Sequence, residues 1–233
     1  PFLLRLKYLK FPIVFTHTLM SPLSSNFFRK FFQKIIRKLP LNCVNRIIVS
    51  SKVMKDDLDV LNLKPPVDII YNGVDIKKFS PCLDELKKKK MRRTLGFDLS
   101  ETIILMIGPI VPRKGIDVLI KAFAKLCEQL NDINLLLIGP RHDLNRPDLH
   151  VFSKEIQKDI LDSDIKNKVF FLGEKTNVED YLQISDIFVF PSIREGMPNV
   201  VPEAMASGLP VVMTPFIGLS TDFGEQNKHY VLT

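Results

Sequence analysis

Two glutamates eight residues apart form the acidic pair with the clearest chemical use in this sequence. Glu195 follows a short apolar run, and Glu203 lies within the first two turns of the helix predicted after it. An ionised carboxylate accepts two hydrogen bonds from vicinal hydroxyls, such as those of a sugar or a ribose. The amides between the two glutamates precede a helix N-terminus, which favours anions. By spacing alone, two solvated surface acids are an equally open interpretation.

A basic pair, Arg113 and Lys114, precedes Gly115 at a predicted loop-to-helix junction. A lysine at a helix N-terminus is unfavourable to the helix dipole, so the position indicates a nearby anion. A solvated basic pair is the alternative. The glycine-rich dinucleotide fingerprint, the phosphate-binding P-loop and the His-Glu-x-x-His zinc motif are absent from the sequence, so hydride transfer and P-loop nucleotide hydrolysis are not expected.

The second part of the chain alternates apolar strands with amphipathic helices. The predicted strands are Ile103–Ile107, Ile133–Ile138, Val169–Leu172, Ile187–Phe190 and Val211–Met213. The predicted helices are Gly115–Leu130, Val151–Leu161, Asn177–Ile184 and Asn199–Ala206. Uninterrupted apolar strands are buried on both faces, and this alternation predicts a doubly wound parallel sheet. Ligands bind such sheets at the carboxyl ends of the strands. Lys114 follows the predicted strand Ile103–Ile107, and both glutamates follow the predicted strand Ile187–Phe190.

The first third has a similar but shorter pattern. Its predicted strands are Pro12–Thr16, which ends at His17, Arg46–Ser50 and Val67–Tyr71. Its predicted helices are Phe27–Leu39 and Ser51–Leu61. The helix 27–39 carries a Phe/Ile stripe and a basic face without acids. The stripe is expected to pack on the sheet of its domain, and an interfacial helix on anionic lipid is the alternative.

Composition places the chain among globular proteins. Of its 233 residues, 45% are hydrophobic and 25% charged, which excludes a disordered tail, a fibrous repeat and a disulfide-stapled mini-protein. Three scattered cysteines fit reduced thiols and a cytoplasmic location. We expect neither a signal peptide nor a transmembrane helix. The start of the chain indicates that an upstream part is missing.

The net charge of +7 lies entirely in the first third. Residues 1–75 carry 12 lysines and arginines against five acids, and the remaining residues are balanced. Basic residues concentrated on one helix, without a recognised module, do not predict nucleic-acid binding. The lysines of 87–90, with Arg92 and Arg93, are interpreted as a solvated helix face.

An ordered set of motifs resembles the GT-B glycosyltransferases of family 4, which are retaining enzymes. The motifs are Asn72-Gly73-Val74-Asp75 with Phe79-Ser80-Pro81, Arg113-Lys114-Gly115, Val169–Gly173, Ser185–Ser192, and the Glu-x7-Glu pair of Glu195 and Glu203. The resemblance implies an α/β, GT-B-like fold of two Rossmann-like domains. Residues 1–75 would end an incomplete N-terminal acceptor-side domain, 76–85 would link the domains, and 86–233 would form the nucleotide-sugar domain without its C-terminal end.

The resemblance also implies roles for individual residues. Lys114 would bind the donor diphosphate, Glu203 the ribose hydroxyls and Glu195 the transferred sugar, and His17 would face the donor from the opposite domain. The implied donor-binding set is Gly108, Arg113, Leu172, Gly173, Gly196, Met197, Pro198, Asn199 and Glu203. The family generally needs no metal or other cofactor.

The function that follows is retaining transfer of a sugar from a nucleotide-sugar to a glycan or lipid-linked acceptor, in the cytoplasm or on its side of a membrane. A non-catalytic nucleotide-sugar-binding protein is one alternative, because Pro109 stands where the family often has an arginine. A sugar-nucleotide epimerase of a similar fold is another.

Overall fold

The computed structural model describes residues 12–17, 27–97, 100–140, 147–161, 163–216, 219 and 224–233. These residues form two compact units. The first contains the described residues up to Gly73 together with Arg194–Pro198 and Leu219. The second contains those of Val74–Ile193, Asn199–Phe216 and Gly224–Thr233. The predicted linker, 76–85, therefore belongs to the second unit, and the predicted domain bounds remain a prediction.

The first unit has a three-stranded parallel sheet in the order β1-β2-β3. Its elements are β1 (Val14–His17), α1 (Phe27–Leu41), β2 (Arg46–Val49), α2 (Lys52–Asp59) and β3 (Val67–Ile69). Leu41, at the end of α1, is buried in a cluster with Ile47 of β2 and Leu58 of α2. The unit is thus held together by the end of α1, the sheet and one face of α2.

The apolar stripe of α1 is exposed along its described part. Phe32, Ile35, Ile36 and Leu39 lie on one face, and their exposed fractions range from 39% to 67%. Arg37, on another face, makes an ion pair of 2.6 Å with Asp57 of α2. The expectation that the stripe packs on a sheet is therefore wrong for these four side chains. Helical periodicity identifies an apolar face but not whether a partner covers it.

The second unit has a six-stranded, fully parallel sheet in the order β6-β5-β4-β7-β8-β9. Its strands are β4 (Thr102–Ile107), β5 (Ile133–Ile138), β6 (Val169–Gly173), β7 (Ile187–Phe190), β8 (Val211–Met213) and β9 (Val231–Leu232). This is the predicted doubly wound sheet, with β9 as an unpredicted edge strand. The chain reverses its direction of strand addition between β4 and β7, which is the switch point where such sheets bind ligands.

The helices of the second unit are α3 (Glu85–Leu95), α4 (Ile116–Cys127), α5 (Pro147–Leu161), α6 (Val178–Ile184) and α7 (Val200–Ala206). The carboxylate of Asp84 caps α3 by accepting hydrogen bonds from two N–H groups of its first turn. Helix α5 begins four residues before its predicted start. The strongly apolar strands β5 and β7 have the bounds that the sequence predicts.

One residue of the predicted solvated face of α3 is instead buried. The Arg92 guanidinium lies 2.6 Å from Asp186, and it also donates to the carbonyl oxygens of Ile184 and Glu101. Burial opposes ionisation of Asp186, but hydrogen bonds from the Ile103 N–H, Lys88 and Arg92 outweigh it, so the pKa of Asp186 is lowered. The prediction of a wholly solvated basic face is wrong because Arg92 joins α3 to the end of α6 and to the residue that precedes β7.

Candidate functional site

The loop after β4 lies directly against the end of β7. A single 3-10 turn, Pro112–Lys114, ends at Gly115, which has a left-handed backbone with φ of 66°. A Cβ atom on Gly115 would lie 2.0 Å from the carbonyl oxygen of Pro191. Only glycine allows both this conformation and this approach of two backbones. The residue thereby fixes where α4 begins relative to the switch point.

Hydrogen bonds join this loop to the loops after β7 and β8. The carbonyl oxygen of Arg113 accepts from the Ile193 N–H at 2.8 Å and from the hydroxyl of the buried Ser192 at 3.2 Å. The Thr214 hydroxyl donates to the Ser192 carbonyl oxygen at 2.6 Å. Three loops of the carboxyl edge thus support the backbone next to Lys114.

Lys114 is buried, with 6% of its surface exposed. Its Nζ atom lies 4.9 Å from the centroid of the Phe190 ring, within the range of a cation–π interaction. Its side-chain stem passes Gly108, where an added Cβ would lie 3.3 Å from Lys114 Cε. The solvated interpretation of Lys114 is therefore wrong. Burial of an ammonium group is costly. Lys114 lies beside the N-terminus of α4, so an anion bound there would interact favourably with both the ammonium group and the amides of the helix.

Glu203 lies in the first turn of α7 and is half-buried. Burial raises the pKa of Glu203, and the positive charge of Lys78 acts in the opposite direction. Glu203 is thus not a fully solvated surface acid. Asn199 precedes α7 directly and accepts the Glu203 N–H on its carbonyl oxygen at 3.0 Å.

The other glutamate of the pair, Glu195, is also buried, with 7% exposed. It belongs to the segment Arg194–Pro198, which the fold groups with the first unit, together with the predicted site residues Gly196, Met197 and Pro198. His17 is the last residue of β1 in the first unit, and its side chain lies outside the described part of the structure.

Leu172 and Gly173 end β6, the outer strand on the far side of β5. Two strand spacings place them roughly 10 Å from β4 along the same sheet edge. The Gly173 carbonyl oxygen accepts from the Gly139 N–H at 2.9 Å. A Cβ on Gly139 would lie 2.1 Å from the carbonyl oxygen of Gly108, so the loops after β4 and β5 are also in contact.

The structure brings together the predicted residues of the second unit: Gly108, Arg113, Lys114, Leu172, Gly173, Asn199 and Glu203 lie at or beyond the carboxyl edge of its sheet. Sequence reasoning missed the roles of Ser192, Thr214 and Lys78. Ser192 ends the motif Ser185–Ser192 that carried the family resemblance, and Lys78 directly precedes the motif Phe79-Ser80-Pro81, so the resemblance was the available signal.

Two absences hold for the described part of the chain. No group of three or more His, Cys, Asp or Glu side chains could hold a metal ion there. Within the same residues, no helix combines the length and apolar character needed to span a bilayer.

Comparison with known proteins identifies two family matches. Residues 87–232 match the family described as glycosyl transferases group 1, and residues 1–78 match the family described as glycosyltransferase family 4. The first match covers more than half of the chain. The two matched segments meet between residues 78 and 87, close to the predicted linker.

Among curated proteins, a lipopolysaccharide core biosynthesis mannosyltransferase, LpsB of Rhizobium meliloti (strain 1021), is 30% identical over 177 residues, which are 76% of this chain and 47% of that protein. A UDP-Gal:α-D-GlcNAc-diphosphoundecaprenol α-1,3-galactosyltransferase of Escherichia coli is 29% identical over 162 residues, covering 65% of this chain and 37% of that protein. The chain spans less than half the length of these relatives.

Solved structures agree with the fold. HepE of Anabaena, in complex with UDP, has a TM-score of 0.78 at 23% identity, and the match covers 95% of this chain and 58% of the HepE chain. A sucrose-phosphate synthase from Thermosynechococcus elongatus also has a TM-score of 0.78, at 24% identity, covering 97% and 55%. The predicted GT-B-like α/β fold is confirmed. Together with the match over 87–232, this shows that the chain belongs to the glycosyl transferases group 1 family.

Proposed function

We propose that this chain carries the donor site of a retaining glycosyltransferase, which moves a hexose from a nucleotide-sugar to an acceptor. The observation that carries the proposal is Lys114, a buried ammonium group at the switch point beside the N-terminus of α4. This arrangement suits a diphosphate because helix amides and a fixed cation both stabilise anionic oxygens. Arg113 and the backbone at Gly108 border the same position.

The remaining donor contacts follow from the family resemblance. Glu203 accepts hydrogen bonds from the ribose hydroxyls, and the backbone at Leu172 and Gly173 holds the base. Glu195 contacts the sugar, next to the Gly196 and Met197 amides and the Pro198–Asn199 entry to α7. We also propose a catalytic role for His17, which belongs to the first unit.

The proposed reaction retains the configuration of the sugar carbon. The bond between the anomeric carbon and the diphosphate oxygen breaks, and the acceptor oxygen bonds to that carbon from the same face. The acceptor proton passes to the leaving phosphate oxygen. Lys114 and the amides of α4 stabilise the charge that develops on the diphosphate. Fixed cations and hydrogen-bond donors assist a reaction most where charge develops in the transition state. We propose no metal or other cofactor for this step.

For the acceptor we propose a glycan or a lipid-linked saccharide. Of the relatives named above, one is a mannosyltransferase of lipopolysaccharide core biosynthesis and the other acts on a diphosphoundecaprenol-linked sugar, and a Corynebacterium glutamicum relative acts on a phosphatidylinositol mannoside. We accordingly place the protein in the cytoplasm, or on the cytoplasmic face of a membrane that α1 contacts.

The donor site is tested by calorimetric titration of the chain with UDP, GDP, ADP and their sugar conjugates. We expect one nucleotide to bind saturably. Lys114→Met removes a charged contact worth about 1.5–3 kcal/mol, so its binding should weaken by about 10- to 100-fold. Lys121→Met, an exposed lysine on the same helix α4, is the matched control and should bind like the parent. Equal affinities for the parent and Lys114→Met would refute the assigned diphosphate site.

Pro109 supports a second candidate, a non-catalytic nucleotide-sugar-binding protein. The loop accommodates this proline, whose carbonyl oxygen accepts from the Val111 N–H at 3.0 Å, and no cation stands at position 109. The full-length protein distinguishes the two functions. Transfer of labelled sugar, lost in the Lys114→Met variant, supports catalysis, whereas binding without transfer to any acceptor supports the second candidate. A changed sugar without an acceptor would instead indicate an epimerase.

A further inference from the structure

Phe190 is the last residue of β7, and its side chain is fully buried. Phe188, two residues earlier on the same strand face, stacks beside it, with ring centroids 6.5 Å apart at 17°. Phe216, in the segment after β8, packs nearly at a right angle to the Phe190 ring, with centroids 5.6 Å apart at 81°. The Phe190 ring is therefore held in one orientation by aromatic neighbours from two segments of the chain.

The backbone around Phe190 is also fixed. The Phe190 carbonyl oxygen accepts from the Thr214 N–H at 3.3 Å. The next residue, Pro191, has its carbonyl oxygen where a Cβ added to Gly115 would lie only 2.0 Å away. Gly115 ends the turn that carries Lys114. The position of the ring is thus coupled through backbone contacts to the turn that presents the ammonium group.

The Lys114 side chain lies against the backbone of Gly108 and the face of the Phe190 ring. A Cβ added to Gly108 would lie 3.3 Å from Lys114 Cε and 3.6 Å from Lys114 Cδ. The Nζ atom lies over the Phe190 ring, 4.9 Å from its centroid. Cation–π attraction acts within about 6 Å of the centroid and is strongest when the cation is desolvated, as the buried Lys114 is. A phenyl ring has no net charge, so it attracts the ammonium group without repelling an incoming anion, as a carboxylate would.

We propose that Phe190 is a positioning residue for Lys114: the face of its ring holds the ammonium group at the switch point, in the place where that group meets the donor diphosphate. The step to the diphosphate rests on the proposed donor site. Without the ring face, the flexible lysine side chain loses an attraction and gains rotamers. A smaller fraction of the protein then has Lys114 in the binding position, and the apparent affinity for the anion falls in proportion.

The contact is tested without any ligand, by NMR of the chain with isotopically labelled lysine. The Lys114 Hε signal is assigned by its loss in Lys114→Met. Protons over the face of an aromatic ring resonate upfield, so we expect this signal to lie upfield of those of exposed lysines. It should return to their position in Phe190→Leu. In Phe188→Leu, the matched control at a fully buried position of the same strand face, it should stay upfield. An unmoved Lys114 signal in folded Phe190→Leu overturns the proposal.

The electrostatic part is tested with trifluorophenylalanine, which keeps the shape of the ring and removes most of the negative charge from its face. At position 190, we expect it to weaken binding of the preferred nucleotide among UDP, GDP and ADP by about 3- to 30-fold. At position 188, the same replacement should leave the affinity at the parent value. Neither replacement should lower the melting temperature, so a purely structural role of Phe190 would leave the affinity unchanged. Equal affinities for the parent and the chain replaced at position 190 overturn the proposal.

Failure of this role and failure of the donor site give different results. If the parent binds none of the three nucleotides while its Lys114 signal depends on Phe190, the donor site is refuted, together with the step from Lys114 to the diphosphate. If the parent binds a nucleotide and Lys114→Met weakens this binding, but trifluorophenylalanine at position 190 does not, the role of Phe190 is refuted and the donor site stands.

Discussion

The two units differ in how completely the described loops and helices of each unit are packed against the rest of that unit. In the second unit, a six-stranded sheet places its loops at one edge, and backbone contacts join the loops after β4, β5, β7 and β8. In the first unit, three strands support a helix whose described apolar stripe is exposed. The basic excess of the chain also lies in its first 75 residues.

This difference shows what each unit can do by itself. The second unit holds Lys114 and Glu203 in defined environments, so we expect nucleotide binding to depend on its residues. The first unit presents an apolar and basic surface on α1, and we expect its residues to affect association with other molecules more than the stability of the donor site. The predictions below are ordered by the size of the expected effect.

The largest effect is expected from Gly115→Ala. The new Cβ would meet a backbone oxygen at 2.0 Å in a left-handed conformation, so the contact between the β4 and β7 loops must open. We expect a loss of about 3 kcal/mol in the free energy of unfolding and loss of nucleotide binding. Chemical denaturation and calorimetry measure both.

Gly96→Ala is the matched control for that substitution. Gly96 also has a left-handed backbone, with φ of 85°, but no atom lies within 4 Å of its added Cβ. We expect a cost of about 1 kcal/mol and unchanged nucleotide binding. Equal effects of the two alanines would show that the close approach to Pro191 does not determine the loop.

Asp186→Asn should lower the free energy of unfolding by about 2 kcal/mol at neutral pH, because it removes the carboxylate partner of the buried Arg92. The folded pKa of Asp186 is lower than its unfolded value, so its stabilisation is present above the unfolded pKa. It is lost as pH falls through the lower, folded pKa.

Denaturant melts at several pH values measure this effect. The difference between the parent and Asp186→Asn should shrink on acidification, whereas Asp132→Asn, at an exposed position in the same unit, should differ little from the parent at any pH. A deficit of Asp186→Asn that is independent of pH would contradict the assigned ion pair.

Ser192→Ala should have a smaller effect, because it removes one hydrogen bond to the Arg113 carbonyl oxygen while the Ile193 N–H still donates to it. We expect about 1 kcal/mol of lost stability and nucleotide binding weakened by less than about tenfold. Thr214→Val removes the hydroxyl that donates to the Ser192 carbonyl oxygen, and this variant should behave similarly. Wild-type affinity in the double variant would show that these hydroxyls do not support the site.

The smallest effect on stability is expected from Ile36→Glu on α1, within about 0.5 kcal/mol, since this side chain is 67% exposed. The same change tests the interfacial interpretation of α1. In flotation with vesicles containing phosphatidylglycerol, the parent should bind and Ile36→Glu should not, while Leu83→Glu, at an exposed position of the second unit, should bind like the parent. Failure of the parent to bind such vesicles would contradict the interfacial interpretation of α1.

Much of the fold follows from the sequence by itself. The strands β5 and β7 are continuous apolar runs, and burial on both faces requires a parallel sheet with helices between its strands. The position of Lys114 after β4 and of Glu203 in α7 follows from the same pattern, because loops at the carboxyl edge are where such sheets bind ligands. These features depend on local sequence, which periodicity and turn residues express directly.

Only the tertiary structure decided which charged side chains are buried and which apolar ones are exposed. Arg92 looks like its lysine neighbours in sequence, but Asp186, 94 residues further along the chain, makes its burial possible. Phe32 and Ile36 have core-like spacing, but the described structure leaves them exposed. Side-chain environment depends on contacts between distant segments, and local pattern carries no information about their partners.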